Sequence, residues 1–240
     1  MRVRFEFKKE QVARFISHLD MIRVFERSAR RAGLQVSYSQ GFNPHPKMAF
    51  GPALALGVAS DREYVDISFD GELDMEVCIQ ALESSLPPGV HIAAAAEVPE
   101  GAEALNALIN RAEYDICCRL EEGLTQQACD ELCTALLQMD EIVIKKRTKK
   151  GMQDKDIRNG IFTVKGKVKG DNIFLQTRLL AGAQGSVRPE QVLEVLVSLG
   201  LPVRGQYSEI RRTGLFSCNG ESCRTPLQVL NLTSRRLPPL

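Results

Sequence analysis

Apolar positions recur along the chain at two periods, and the period switches mark the elements. The opening alternates, with Val3, Phe5 and Phe7 on one side and Arg2, Arg4, Glu6 and Lys8 on the other, as in a strand with one buried face. Ser17 followed by Asp20 reads as a capping-box variant. Leu19, Ile22, Phe25, Ala29 and Ala32 then follow at helical spacing up to Gly33, a C-cap. Arg23, Arg27, Arg30 and Arg31 fall off that stripe. Leu54, Leu56 and Val58, a turn at 60–62, and Val65, Ile67 and Phe69 predict a hairpin. Met75, Cys78, Ile79, Leu82 and Leu86 make a second helical face, stopped at Pro87-Pro88-Gly89 and followed by Val90, Ile92 and Ala94. The order is βαββαβ, the ferredoxin-like pattern.

Residues 98–111 read as a linker, after which the pattern restarts. Tyr114, Ile116, Cys118 and Leu120 alternate, and Thr125 caps a helix carrying Ala128, Leu132, Leu136 and Met139. Ile142 and Ile144 begin a strand, and Phe162 to Thr177 makes a long hairpin around Gly170-Asp171-Asn172. Pro189 suits the first turn of a helix bearing Val192, Leu193, Leu196 and Leu199, and Tyr207 to Phe216 supplies a last strand. The expectation is an α+β chain of two ferredoxin-like halves, a duplication. Its parts are residues 1–97, the linker 98–111, residues 112–217 and a tail at 218–240.

Charge changes this picture. The net +1 of the 240 residues is a cancellation: residues 1–50 carry ten Lys/Arg and four Asp/Glu, residues 51–144 three and nineteen, and residues 145–240 eighteen and seven. Two basic blocks flanking an acidic one predict a polarised surface, and positive faces meet phosphate. The densest stretch holds Lys145, Lys146, Arg147, Lys149, Lys150, Lys155, Arg158, Lys165, Lys167 and Lys169 around Gly151 and Gly160, a mobile hairpin or loop suited to sequence-neutral RNA backbone contact. Aromatics are 6% and Trp is absent, so base stacking on a sheet face is disfavoured. No apolar run is long enough to span a membrane, and the first residues alternate instead of forming a signal peptide; the expected location is the cytoplasm.

Tyr38 to Pro52 is stiffened by Asn43-Pro44 and His45-Pro46, which makes Gln40, Asn43 and Lys47 candidate recognition residues. His18 and His45 form a candidate acid–base pair for metal-independent RNA cleavage if they converge on one phosphate. A helix-end role for His18 and a loop hydrogen bond for His45 are favoured over catalysis, and Asp20 reads as a capping carboxylate. Seven cysteines, with no export signal, predict reduced thiols. Cys218 and Cys223 offer only two of the four ligands a closed zinc site takes, so no metal and no cofactor is expected. There is no P-loop, dinucleotide fingerprint, nucleophile elbow or radical SAM cysteine triplet.

Arg14-Phe-Ile-Ser-His-Leu-Asp20, the run Tyr38 to Val58, Asp156-Ile-Arg158, Arg188-Pro189 and Arg212-Thr-Gly214 resemble the bacterial radical SAM-associated (radical SAM-linked) family, a domain of unknown function. The resemblance spans roughly residues 1–216. It implies a shared pathway with a radical SAM enzyme and carries no catalytic residue over. A fold-level analogy links duplicated ferredoxin-like endonucleases acting on CRISPR repeat RNA. The leading expectation is an accessory protein that binds tRNA or ribosomal RNA and works with a radical SAM enzyme. Its phosphate contacts would come from the helix arginines and residues 145–158. The alternatives are a ribonuclease using His18 and His45, and a protein interaction module docking through the acidic block 61–141.

Overall fold

The computed structural model describes residues 1–148, 151–203, 209–230 and 235–236. It is a mixed α+β fold on antiparallel strands with six α-helices among the described residues, and it divides into two units.

The first unit opens with β1 (Arg2–Lys9), a short 3-10 helix (Gln11–Phe15), α1 (His18–Arg31), β2 (Met48–Phe50), β3 (Ala59–Ser68), α2 (Met75–Ser85), β4 (Val90–Glu97) and α3 (Leu105–Leu108). Its strand order is β4-β1-β3, with β2 also on β3 through Met48↔Ile67 and Phe50↔Val65. Met21, Phe25 and Ala29 of α1 and Cys78, Ile79 and Leu82 of α2 bury against Val3, Phe5, Phe7, Val65, Ile67 and Ile92. Ser17 caps α1 by accepting from the Asp20 amide, and Gly33 takes the left-handed backbone (φ 70°) that ends it.

The second unit runs from Arg111 to Thr213. It holds β5 (Arg111–Arg119), α4 (Gln126–Gln138), β6 (Val143–Thr148), β7 (Gly151–Asp156), β8 (Ile161–Lys169), β9 (Asn172–Leu180), α5 (Pro189–Ser198) and the start of β10 (Glu209–Asn219). Its sheet order is β10-β5-β9-β8, with β6 and β7 a separate two-stranded hairpin. Thr125 caps α4 and Pro189 opens α5. From Gly214 onward the chain returns to the first unit through the rest of β10, then β11 (Ser222–Arg224), α6 (Pro226–Val229) and β12 (Arg235–Arg236), which pairs with β4.

Several expectations are corrected. Leu54, Leu56 and Val58 do not form a strand; the partner of β3 is Met48–Phe50, and the left-handed Gly57 (φ 84°) breaks the alternation. The buried stripe of α1 is Met21, Phe25, Ser28 and Ala29, and Leu19 is 68% exposed. Likewise Cys129, Cys133 and Leu136 are the buried positions of α4. Residues 98–111 hold the short α3 and bury Leu105, Leu108 and Ile109.

On the polar side of β1 Arg4 is covered, Arg2 and Glu6 are half-buried and Lys8 is exposed. Arg4 is fully buried, with a bidentate pair to Asp66 (2.7 and 2.9 Å) and further bonds to the Pro226 and Glu103 carbonyls (3.1 and 3.3 Å). Arg2 donates to the Pro99 and Ala102 carbonyls. Finally, Cys218 and Cys223 are a disulfide and not reduced thiols. They face each other directly across the β10–β11 hairpin, so antiparallel pairing brings the two sulfurs together.

Candidate nucleic-acid interface

In the second unit one sheet face is packed and the other open. Along β9 the odd positions Ile173, Leu175 and Leu179 are buried with Thr177, while Phe174 and Gln176 are exposed and Arg178 and Leu180 half-buried. Along β8 the exposed positions are Lys165, Lys167 and Lys169. A strand alternates its faces, so these residues share one side. Register sets Lys165 opposite Gln176, Lys167 opposite Phe174 and Lys169 opposite Asn172. On the other flank of β9, Cys117 faces Phe174 and Arg119 faces Asn172.

Phe174 is 41% exposed, and the Lys169 ammonium lies 5.7 Å from the centre of its ring. Phe162 is already covered: the Arg111 guanidinium lies 3.6 Å over that ring. Burial and the neighbouring Arg178 lower the Arg111 pKa, yet a guanidinium stays charged. Arg178 is neutralised by Glu113 at 2.6 Å, and Asp115 accepts from the Gln176 amide. Three lysines and Arg119 therefore dominate the open face around Phe174.

Helix α4 holds β8 in place from the packed side. The Gln126 amide donates to the Gly166 carbonyl and accepts from the Val168 amide, both at 2.9 Å, so it occupies backbone groups of the edge strand. The exposed face of α4 carries Asp130 and Glu131.

Of the hairpin or loop that the sequence allows, the structure takes the hairpin: β6 and β7 pair antiparallel with Lys145↔Asp154 in register. Lys145 pairs with Asp154 at 2.7 Å, and both are exposed. Lys149 and Lys150 lie outside the described residues, and only the backbone of Lys146 and Arg147 is described. Lys155 donates to the Ser186 carbonyl. Arg158 is a structural pin: its guanidinium donates to the carbonyls of Leu137, Met139 and Ile161. Asp156 braces the same turn by accepting from the Arg158 and Ile142 amides, which lowers its pKa.

In the first unit Arg23, Arg27, Arg30 and Arg31 are all exposed on α1. Arg23 pairs with Asp20 at 2.9 Å and Arg30 with Glu26 at 3.7 Å, while Arg31 donates to Ser28 and to the Ser85 carbonyl. Hydrogen bonds from Ser17 and Arg23 hold the Asp20 carboxyl below its usual range. The proline loop folds back on itself, with Ser39 and His45 exchanging two hydrogen bonds and Lys47 donating its amide to the Ser37 carbonyl. Its tip exposes Gln40, Phe42 and Asn43.

His18 meets Phe50 edge-on (5.8 Å, 81°) and lines a cavity of about 20 Å³, room for roughly one water. Buried Lys9 and Glu63 share the wall, and Lys9 donates to the Ile16 carbonyl at 2.7 Å. His45 is exposed and is not part of that wall. Among the described residues no three His, Cys, Asp or Glu side chains converge as a metal site, and no helix is long and apolar enough to cross a membrane.

Sequence reasoning missed the exposure of Phe174 on the sheet, the Gln126 clamp and the disulfide. The last had a signal. Asn219-Gly220 between two cysteines is a hairpin cue, and Gly220 takes φ 58° at that turn.

These features define a mixed α+β protein with a cationic open sheet face. The chain belongs to a bacterial family, described as an uncharacterized protein conserved in bacteria (DUF2344), matched over residues 2–189. No curated protein matches it. Among solved structures it is similar to a chain of a Cbf5-Nop10-Gar1 complex at 11% identity and TM-score 0.50, covering 88% of this chain and 49% of that one. It is also similar to a chain of the archaeal box H/ACA sRNP Nop10-Cbf5 complex at 11% identity and TM-score 0.48, covering 89% and 47%. The chain thus spans about half the length of those solved chains, and the likeness is one of fold.

Proposed function

We propose that this protein binds RNA through phosphate contacts. The observation that carries the reading is the row Lys165, Lys167 and Lys169 beside Arg119 on the open face of the second unit. Lysines on flexible stems suit sequence-neutral backbone contact. The β6–β7 hairpin of the same unit holds Lys145 against Asp154, within a stretch whose sequence has more Lys and Arg than Asp. Arg23, Arg27, Arg30 and Arg31 give a cationic helix face in the first, with Gln40, Asn43 and Lys47 on its exposed loop. We further infer that each unit is a ferredoxin-like βαββαβ. The orders β4-β1-β3-β2 and β10-β5-β9-β8 support this, each placing the fourth strand beside the first and the second beside the third.

The test is binding to bulk cellular RNA across a salt series. Affinity should fall steeply with salt, and the triple variant Lys165→Gln, Lys167→Gln, Lys169→Gln should reduce the log–log slope by about 2, at roughly 0.7 per phosphate on a single strand. A salt-insensitive association, or none at low salt, overturns the proposal. Partnership with a radical SAM enzyme rests on the sequence resemblance, carried by Arg14 to Asp20 and Tyr38 to Val58. Copurification that is lost on nuclease treatment would make RNA the bridge.

A further inference from the structure

We infer that the open sheet face of the second unit is a stacking site for single-stranded RNA, with Phe174 as the platform and Lys165, Lys167 and Lys169 as the phosphate rail. The inference rests on the RNA-binding reading above and assigns it a strandedness and a recognition residue. Phosphate contact alone would accept a duplex equally well. An exposed aromatic ring on a sheet changes that, because only an unpaired base can lay its face on it.

The geometry fits an extended strand. Residues two apart on β8 are spaced by about 6.8 Å, close to the separation of successive phosphates in an extended single strand. Lys165, Lys167 and Lys169 therefore offer one ammonium per nucleotide. Phe174 lies directly across from the middle lysine, so a strand whose phosphates follow β8 carries a base over β9. At 5.7 Å the Lys169 ammonium is only loosely placed over the ring; an arriving base displaces it toward phosphate. Phe162, already under the Arg111 guanidinium, does not offer a bare ring. A protein strand pairing along β8 is the competing occupant, and the Gln126 amide already takes the Gly166 carbonyl and Val168 amide on that strand.

The experiment uses the full chain with two labelled probes of equal length, an oligouridine and a blunt RNA duplex. Phe174→Leu keeps an apolar side chain at an exposed position, and an unchanged thermal midpoint confirms its fold. The expected result is a loss of oligouridine affinity of at least about fivefold, with duplex affinity and the salt slope unchanged. Lys167→Gln should instead lower the slope by about 0.7. If Phe174→Leu binds oligouridine as the wild type does, or weakens both probes equally, the stacking site is overturned while RNA binding stands. If the wild type binds neither probe at low salt, the RNA reading itself fails.

Discussion

The cysteines show how burial decides chemistry at single residues. Removal from water disfavours the thiolate, so Cys133 is pushed up to about 12 and Cys118 and Cys78 to about 11, against an ordinary 9.0. Cys117, on the open face, is raised too, by burial first and Glu209 second. Because Cys133 keeps its proton in the folded state longer than in the unfolded one, its contribution to stability is full below about pH 9. It is lost as the pH rises toward 12. The same shift lowers the thiolate fraction of Cys133 throughout the pH range below 9. Iodoacetamide labelling of the native protein, mapped by mass spectrometry, should therefore modify Cys117 well before Cys133 and Cys118. Equal rates for Cys117 and Cys133 would contradict the burial argument.

The contact between α4 and β8 explains why Gly166 has no side chain. A Cβ there would lie 2.2 Å from the Cys129 sulfur and 3.3 Å from Leu175. The helix sits on a strand it could not approach past a methyl group. Gly166→Ala should cost about 1–3 kcal/mol, read as a lower denaturant midpoint with an unchanged m-value. A neutral result would mean that α4 can shift away freely. Much of this level was legible in the sequence. Ser17, Thr125 and Pro189 marked helix starts by the hydrogen bonds and φ angles those residues favour, and period 2 marked β5 and β9. The helical faces were less legible, for a geometric reason. The expected stripe Leu19, Ile22, Phe25, Ala29 and Ala32 and the buried one Met21, Phe25, Ser28 and Ala29 overlap at Phe25 and Ala29, and only the sheet beneath selects between them. The Gln126 clamp leaves no pattern, since a polar residue in a first turn looks the same whether it faces water or a strand edge. The same holds for the exposure of Phe174: composition counts rings, and which of them stands on an open face depends on strand register.

At the scale of the molecule the first unit is discontinuous, built from residues 1–110 and those from 214 onward. No local pattern announces this. Arg4 and Asp66 are 62 positions apart, and the Pro226 carbonyl that Arg4 also uses is 222 away. Alternation along β1 said only that Arg4 faces away from the apolar core; what covers it comes from the far end of the chain. A buried ion pair is stable when its remaining donors are satisfied, and leaving one unpaired costs about 1–3 kcal/mol or more for a charged group. A chain ending at Asn219 lacks β11, α6 and β12. It takes away the Pro226 acceptor and opens the buried guanidinium to water. Hydrogen exchange should then show lost protection in β1 and β3, while β8 and β9 keep theirs. Equal loss in β8 and β9 would mean that the end of the chain stabilises both units, and unchanged protection in β1 would mean that Arg4 and Asp66 need no cover from it.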